Sequence, residues 1–173
     1  QCLAAVKNDQ NQVIARAGLY MNEHLVYKGK QVAAIGNFES IEDLEVAHHL
    51  IEEIKEKARL KGAHFIIGPM DGSTWYNYRF CDTSEEDKHF YTEPIHKSYY
   101  PEFFTKCGFK PFAKYVSNVV KGFKHYPQDI LKLQHDFSKN GVSFRDIQME
   151  NFEDEVAKIH SFGQKWYKSY FLY

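Results

Sequence analysis

Glu93 and His96 stand three residues apart in a stretch crowded with aromatic rings. A carboxylate and an imidazole at that spacing can act as a general base and its partner. A surface Glu beside a surface His is the plainer explanation of the same two residues. Asp71 and Arg79 can grip a polar or charged substrate through charge-assisted hydrogen bonds, or they can anchor the loop that carries them. Trp75, Tyr76 and Tyr78 can line a pocket or cover a sheet edge. Tyr99 and Tyr100 bring two phenolic hydroxyls to one place, for proton donation or for packing. Metal chemistry is not expected. Cys81, His89 and His96 lack the close paired spacing of zinc ligands, and the adjacent His48 and His49 diverge by about 100° if they lie on a helix.

The whole chain narrows the choice. Its 173 residues are enough for one proper core and short for two complete domains. A net charge of −1 supplies no basic excess to attract phosphate. Lys121, Lys124 and Lys132 are scattered among acids and form no stripe, so a nucleic-acid partner is not expected. No apolar run approaches the roughly 18 residues of a membrane span. Three cysteines without a CxxC pair fit reduced thiols in a cytoplasmic protein. The 12 Tyr and 14 Phe imply a cleft or interface where rings are half wet, an interface between two copies of the chain included. The chain opens straight into a strand-like segment and stops at Tyr173 without a polar tail, as expected of a piece of something longer.

Several elements must position these residues. Residues 2–7, 13–22 and 31–38 read as an antiparallel meander, with Asn8–Asn11 as the first turn. Leu44, Ala47, Ile51, Ile54 and Ala58 then share one helical face. Ser40 with Asp43 resembles a capping box and Gly62 is a stop, which predicts a helix from near 41 to near 61. His64–Pro69 reads as a short buried strand, so strand, helix and strand predict a parallel crossover. Residues 71–98 show no period but hold Trp75, Tyr76, Tyr78, Phe80, Phe90 and Tyr91, a ring content that argues against disorder. A short helix is expected at Tyr99–Cys107, ended by Gly108. Beyond it, Lys114–Val120 and Val142–Ile147 read as strands, and Pro127–Lys139 and Glu153–Trp166 as helices. We expect a core over 1–125. Residues 126–173 then either complete its sheet or begin a second, similar domain.

That order of elements over residues 2–120 resembles the GNAT (N-acetyltransferase) superfamily. Tyr99-Tyr-Pro-Glu-Phe-Phe-Thr-Lys-Cys-Gly-Phe109 is similar to the helix that ends in the superfamily's Gly-Phe pattern. Gly68-Pro-Met-Asp-Gly-Ser-Thr-Trp-Tyr-Asn-Tyr-Arg79, followed by Glu93-Pro-Ile-His96, resembles a bacterial branch of it. The resemblance implies an α/β (α+β) fold with a mixed, splayed sheet and flanking helices. It lacks here the strand and two helices with which the superfamily normally opens. It also implies acetyl-CoA or another acyl-CoA lying where two parallel strands part. Ile35, Gly36, Asn37, Phe38 and Ser40 would then line the pantetheine arm, and the long helix's N-terminus would meet the pyrophosphate. Glu93, His96 and Tyr100 would be the catalytic candidates, while Asp71, Trp75, Tyr78 and Arg79 would hold a small amine or amino-acid-like substrate.

Two positions depart from the superfamily pattern. The segment before the long helix has no glycine and carries Glu39, Glu42, Asp43 and Glu45, which cap an empty helix end and repel a polyanion. Phe104 occupies the position where many members carry a proton-donating Tyr. Two functions of different class therefore stand side by side: an acyl-CoA-dependent N-acyltransferase, and a binding module that has kept the fold without the cofactor.

Overall fold

The structure is a computed structural model that describes residues 2–81, 91–119 and 128–167. His89, Phe90, Val120, Lys121, Lys124 and Pro127, which figure in the expectations above, lie outside the described residues, as do residues 168–173. The chain divides into two compact units, one within Gln1–Phe112 and the other Ala113–Tyr167.

In the first unit, β1 (Cys2–Lys7), β2 (Val13–Tyr27) and β3 (Lys30–Ser40) form the expected antiparallel meander. The Asn8 side chain accepts from the Gln10 and Gln12 amides at 3.1 and 2.9 Å and so shapes the first turn. Lys28 and Gly29 both have positive φ, 51° and 71°, the geometry of a two-residue hairpin turn. The strand β2 runs five residues beyond the expected end. Along it, register slips between Met21 and Val26, which face Ala33 and Gln31. The Gln31 amide closes this excursion, donating to the Asn22 and Leu25 carbonyls at 2.7 and 3.3 Å.

The helix α1 (Leu44–Leu60) follows and crosses over to β4 (Phe65–Ile67), which pairs parallel with β3. Its N-cap is Asp43 rather than Ser40: one Asp43 carboxylate oxygen accepts from the Glu45 and Val46 amides at 2.9 and 3.2 Å. Ser40 is instead the last residue of β3. Of the apolar face predicted from periodicity, Ala47, Ile51, Ile54 and Ala58 are buried, Leu44 is half-buried, and Leu50 joins them. Gly62, at φ 84°, ends the helix. The short helix α2 (Tyr100–Lys106) has Pro101 in its first turn and Gly108 beyond its end at φ 86°. The architecture is thus mixed α+β, a four-stranded mixed sheet with flanking helices, as the sequence led us to expect.

The sheet has two packed faces. Ala33, Ile35 and Phe38 of β3 join α1 and α2 in the main core, whereas Val32 and Ala34 join Leu25 and Met70 on the opposite side. Simple alternation would send Phe38 to the second face. A bulge corrects it: Gly18 faces Gly36 but Arg16 faces Glu39, and the extra residue is taken up at Asn37, with φ 47°.

In the second unit, α3 (Gln128–Lys139) precedes a 3₁₀ turn at Met149–Asn151 and α4 (Phe152–Tyr167). Arg145 grips Glu155 with two nitrogens, at 2.6 and 2.9 Å, and its guanidinium holds that carboxyl down at about 2. The strands expected at Lys114–Val120 and Val142–Ile147 do not form among the described residues. Alternation assigns faces, but a strand needs a partner, and no strand is described within Ala113–Tyr167.

Ile54 is completely buried between α1 and the sheet. Replacing it by Ala should cost about 2–5 kcal/mol, measured as a lowered urea midpoint at unchanged slope.

Candidate functional site

Pairing between β3 and β4 stops at Ala34 and Ile67, while β3 continues to Ser40. The parallel ladder therefore ends early, and the outer edge of β3 must find other partners for its backbone groups. The chain supplies them itself. The Met70 amide donates to the Ile35 carbonyl at 2.8 Å. The Asp71 carboxylate accepts from the Asn37 amide at 2.7 Å. The Tyr100 hydroxyl accepts from the Ser40 amide at 3.1 Å and donates to Glu39 at 2.7 Å. The Tyr99 hydroxyl donates to the Ser40 carbonyl at 2.9 Å.

Two glycines permit the close approach. A Cβ on Gly36 would overlap the Met70 carbonyl and the Asp71 carboxylate, so only glycine lets residues 70 and 71 lie on β3. Gly72, at φ 90°, rests on the Tyr20 ring. The Tyr20 hydroxyl accepts from the Asn37 side-chain amide. The loop closes on itself as well, since the Asp71 amide donates to the Asn77 carbonyl at 2.8 Å.

Around α2, His96 and Tyr100 are brought together, their rings stacked at 6.1 Å, with Phe80 edge-on to His96 at 4.8 Å. Both ring nitrogens of His96 are engaged: Nε2 accepts from the Cys81 amide at 2.6 Å, and Nδ1 lies 2.9 Å from the Lys97 carbonyl. That pattern assigns the neutral Nδ1–H tautomer. Glu93 does not join them. It faces Arg79 at 3.9 Å, and Arg79 also donates to the Tyr78 hydroxyl at 2.6 Å. Trp75 is 76% exposed.

The remaining residues proposed for a cofactor divide by role. Phe38 is buried against Tyr100 and Phe104, with ring centroids 5.0 and 5.1 Å away. Phe104 is likewise a core residue, in contact with Phe80 and Phe109. Ser40 is 8% exposed, and its hydroxyl has no hydrogen-bond partner among the described residues. At the N-terminus of α1, Asp43 occupies the amides that an anion would use, and Glu39, Glu42 and Glu45 are exposed around it. As the chain stands, its own groups engage the edge amides and the pyrophosphate end is acidic, so an acyl-CoA would have to displace those contacts. A shallow hollow lined by Met21, Asn22, Glu23, His24, Gln31 and Lys61 lies at the other end of β3 and has no bearing on this edge.

Among site residues, Tyr20 and Asn77 escaped sequence reasoning. Tyr20 reaches the edge only because it pairs opposite Ala34, a register that composition does not encode. Asn77 is the second half of a loop closure that no periodicity marks.

Against solved structures, the chain is similar to one described as the crystal structure of a probable acetyltransferase, at 15% identity and a TM-score of 0.38, covering 69% of this chain and 68% of that one. No family profile and no curated protein matches.

Burial, followed by the Glu39 hydrogen bond, pushes the Tyr100 hydroxyl from its ordinary 10 up to about 12. The folded state keeps this proton when the unfolded chain has lost it. Tyr100 therefore contributes stability below pH 10 that is lost as pH rises towards about 12. A Tyr100→Phe variant should lose less stability than the wild type across that window, seen in urea midpoints measured at successive pH values. An identical decline in both would remove Tyr100 as a cause.

Proposed function

We propose that this chain is a GNAT-like N-acyltransferase module acting on a small amine or amino-acid-like substrate, with acetyl-CoA or another acyl-CoA as donor. The observation that carries this reading is the early end of the β3–β4 ladder at Ala34 and Ile67, behind the crossover helix α1. A parallel ladder that ends before its longer strand does leaves backbone groups on one edge that an extended, amide-bearing ligand can bond. The loop over residues 71–79, with Asp71, Tyr78 and Arg79, and the neighbouring Glu93 supply polar groups suited to an amine-bearing molecule.

No catalytic step follows from the arrangement described. Both nitrogens of His96 are taken, and the Tyr100 hydroxyl is held by Glu39 and the Ser40 amide. The donor would have to displace the chain's own contacts along β3.

A second reading has its own support. The engaged edge and the acidic rim at Asp43 both favour a non-catalytic module that binds a small ligand or a protein through its exposed loop, without acyl-CoA.

Calorimetric titration with acetyl-CoA and longer acyl-CoAs separates the two. Acyltransferase function predicts saturable heat at sub-millimolar ligand. No heat at millimolar ligand from the whole chain would leave the binding-module reading standing.

A further inference from the structure

We infer that Asp71 is a built-in competitor for the outer edge of β3: its carboxylate and the Tyr99 and Tyr100 hydroxyls occupy the positions that an extended amide ligand would take. The choice of ligand rests on the acyltransferase reading; the competition itself rests on the contacts alone.

The edge is covered in two distinct ways. Up to Ile35 its partners are backbone groups, the β4 ladder and the Met70 amide, and Met70 is buried in the second core. Beyond Ile35 every partner is a side-chain oxygen. Asp71 takes the Asn37 amide, Tyr100 takes the Ser40 amide, and Tyr99 takes the Ser40 carbonyl. A side chain can leave by rotation without breaking a strand, whereas a ladder bond cannot. The exchangeable stretch therefore begins beyond the ladder and the Met70 bond.

The chemistry matches an amide ligand in kind. The three side chains present two acceptors and one donor to two edge amides and one carbonyl. The pantetheine arm, with its own amide carbonyls and N–H groups, offers the same alternation. The Asp71 contact is charge-assisted, so it is the strongest of the three and the one a neutral ligand must outbid. The bulge at Asn37 turns that amide toward Asp71, and the bare Cα of Gly36 lets the loop reach it. The buried Ser40 hydroxyl, without a hydrogen-bond partner among the described residues, lies at the end of the same edge.

Free pantetheine is the probe, because it carries no pyrophosphate and is indifferent to the acidic rim of α1. The test uses the full chain with two variants, Asp71→Asn, which keeps shape but weakens the acceptor, and Asp71→Ala, which removes it. Residue-resolved amide exchange should rise at Asn37 on the order of tenfold or more in Asp71→Ala, and less in Asp71→Asn. Exchange at Leu19 and Ile35 should hold. Pantetheine affinity should increase in the same order, wild type below Asp71→Asn below Asp71→Ala.

Unchanged Asn37 exchange in both variants overturns the inference. Faster exchange without tighter pantetheine binding overturns it equally. Tighter pantetheine binding in variants that still ignore acetyl-CoA supports the competition and sinks the acyltransferase reading, so the two failures are told apart.

Discussion

A strand that outruns its neighbour leaves backbone polar groups that must be satisfied, and the hydrogen bond from the Asn37 amide to the Asp71 carboxylate is how this molecule meets that constraint. Much of the local geometry follows from it. Gly36 must lack a Cβ so that residues 70 and 71 can lie on the strand. Asn37 takes a left-handed φ within a bulge, and that bulge returns Phe38 to the main core. The loop that carries Asp71 is held by its own 71–77 closure and by the Tyr20 ring. At the far end of the edge, two tyrosines at the start of α2 do for Ser40 what Asp71 does for Asn37.

Packing and polar satisfaction reinforce each other here. Tyr100 is 2% exposed, with its ring in the main core against Phe38 and His96 and its hydroxyl on β3. A buried ring whose polar tip finds a partner contributes apolar area without the cost of a stranded hydroxyl. The same burial that fixes the ring raises the pKa of its hydroxyl, which makes a positional role more natural than proton donation near neutrality. His96 follows suit: its two nitrogens staple the Cys81 amide and the Lys97 carbonyl, and its ring spaces Phe80 from Tyr100.

The framework was readable from residue pattern wherever one element carries its own signal. The α1 face, the three-stranded meander and the parallel crossover all follow from periodicity and turn chemistry, because those are local properties. Boundaries moved where a tertiary partner decided them. The strand β2 extends to Tyr27 because the hairpin turn and the Gln31 amide support it, and α1 begins after Asp43 because that side chain caps best. Lys114–Val120 and Val142–Ile147 carry strand-like alternation yet find no partner strand among the described residues. The candidate site was the least legible part. Asp71, Tyr100 and Asn37 were each singled out, but the Asn37–Asp71 contact spans 34 residues of chain, the Tyr100–Glu39 contact spans 61, and the first sits at a bulge that no composition announces. Glu93 and His96, neighbours in sequence, point to different partners.

The central claim is that the Asn37 amide is bonded to a side chain rather than left open for a ligand. A trans-hydrogen-bond scalar coupling between the Asn37 amide nitrogen and the Asp71 carboxylate carbon, measured by NMR on the isolated chain, tests it directly. The account predicts a resolvable coupling that vanishes in Asp71→Ala. An Asn37 amide with no such coupling, exchanging as freely as the exposed amides of a loop, would contradict it.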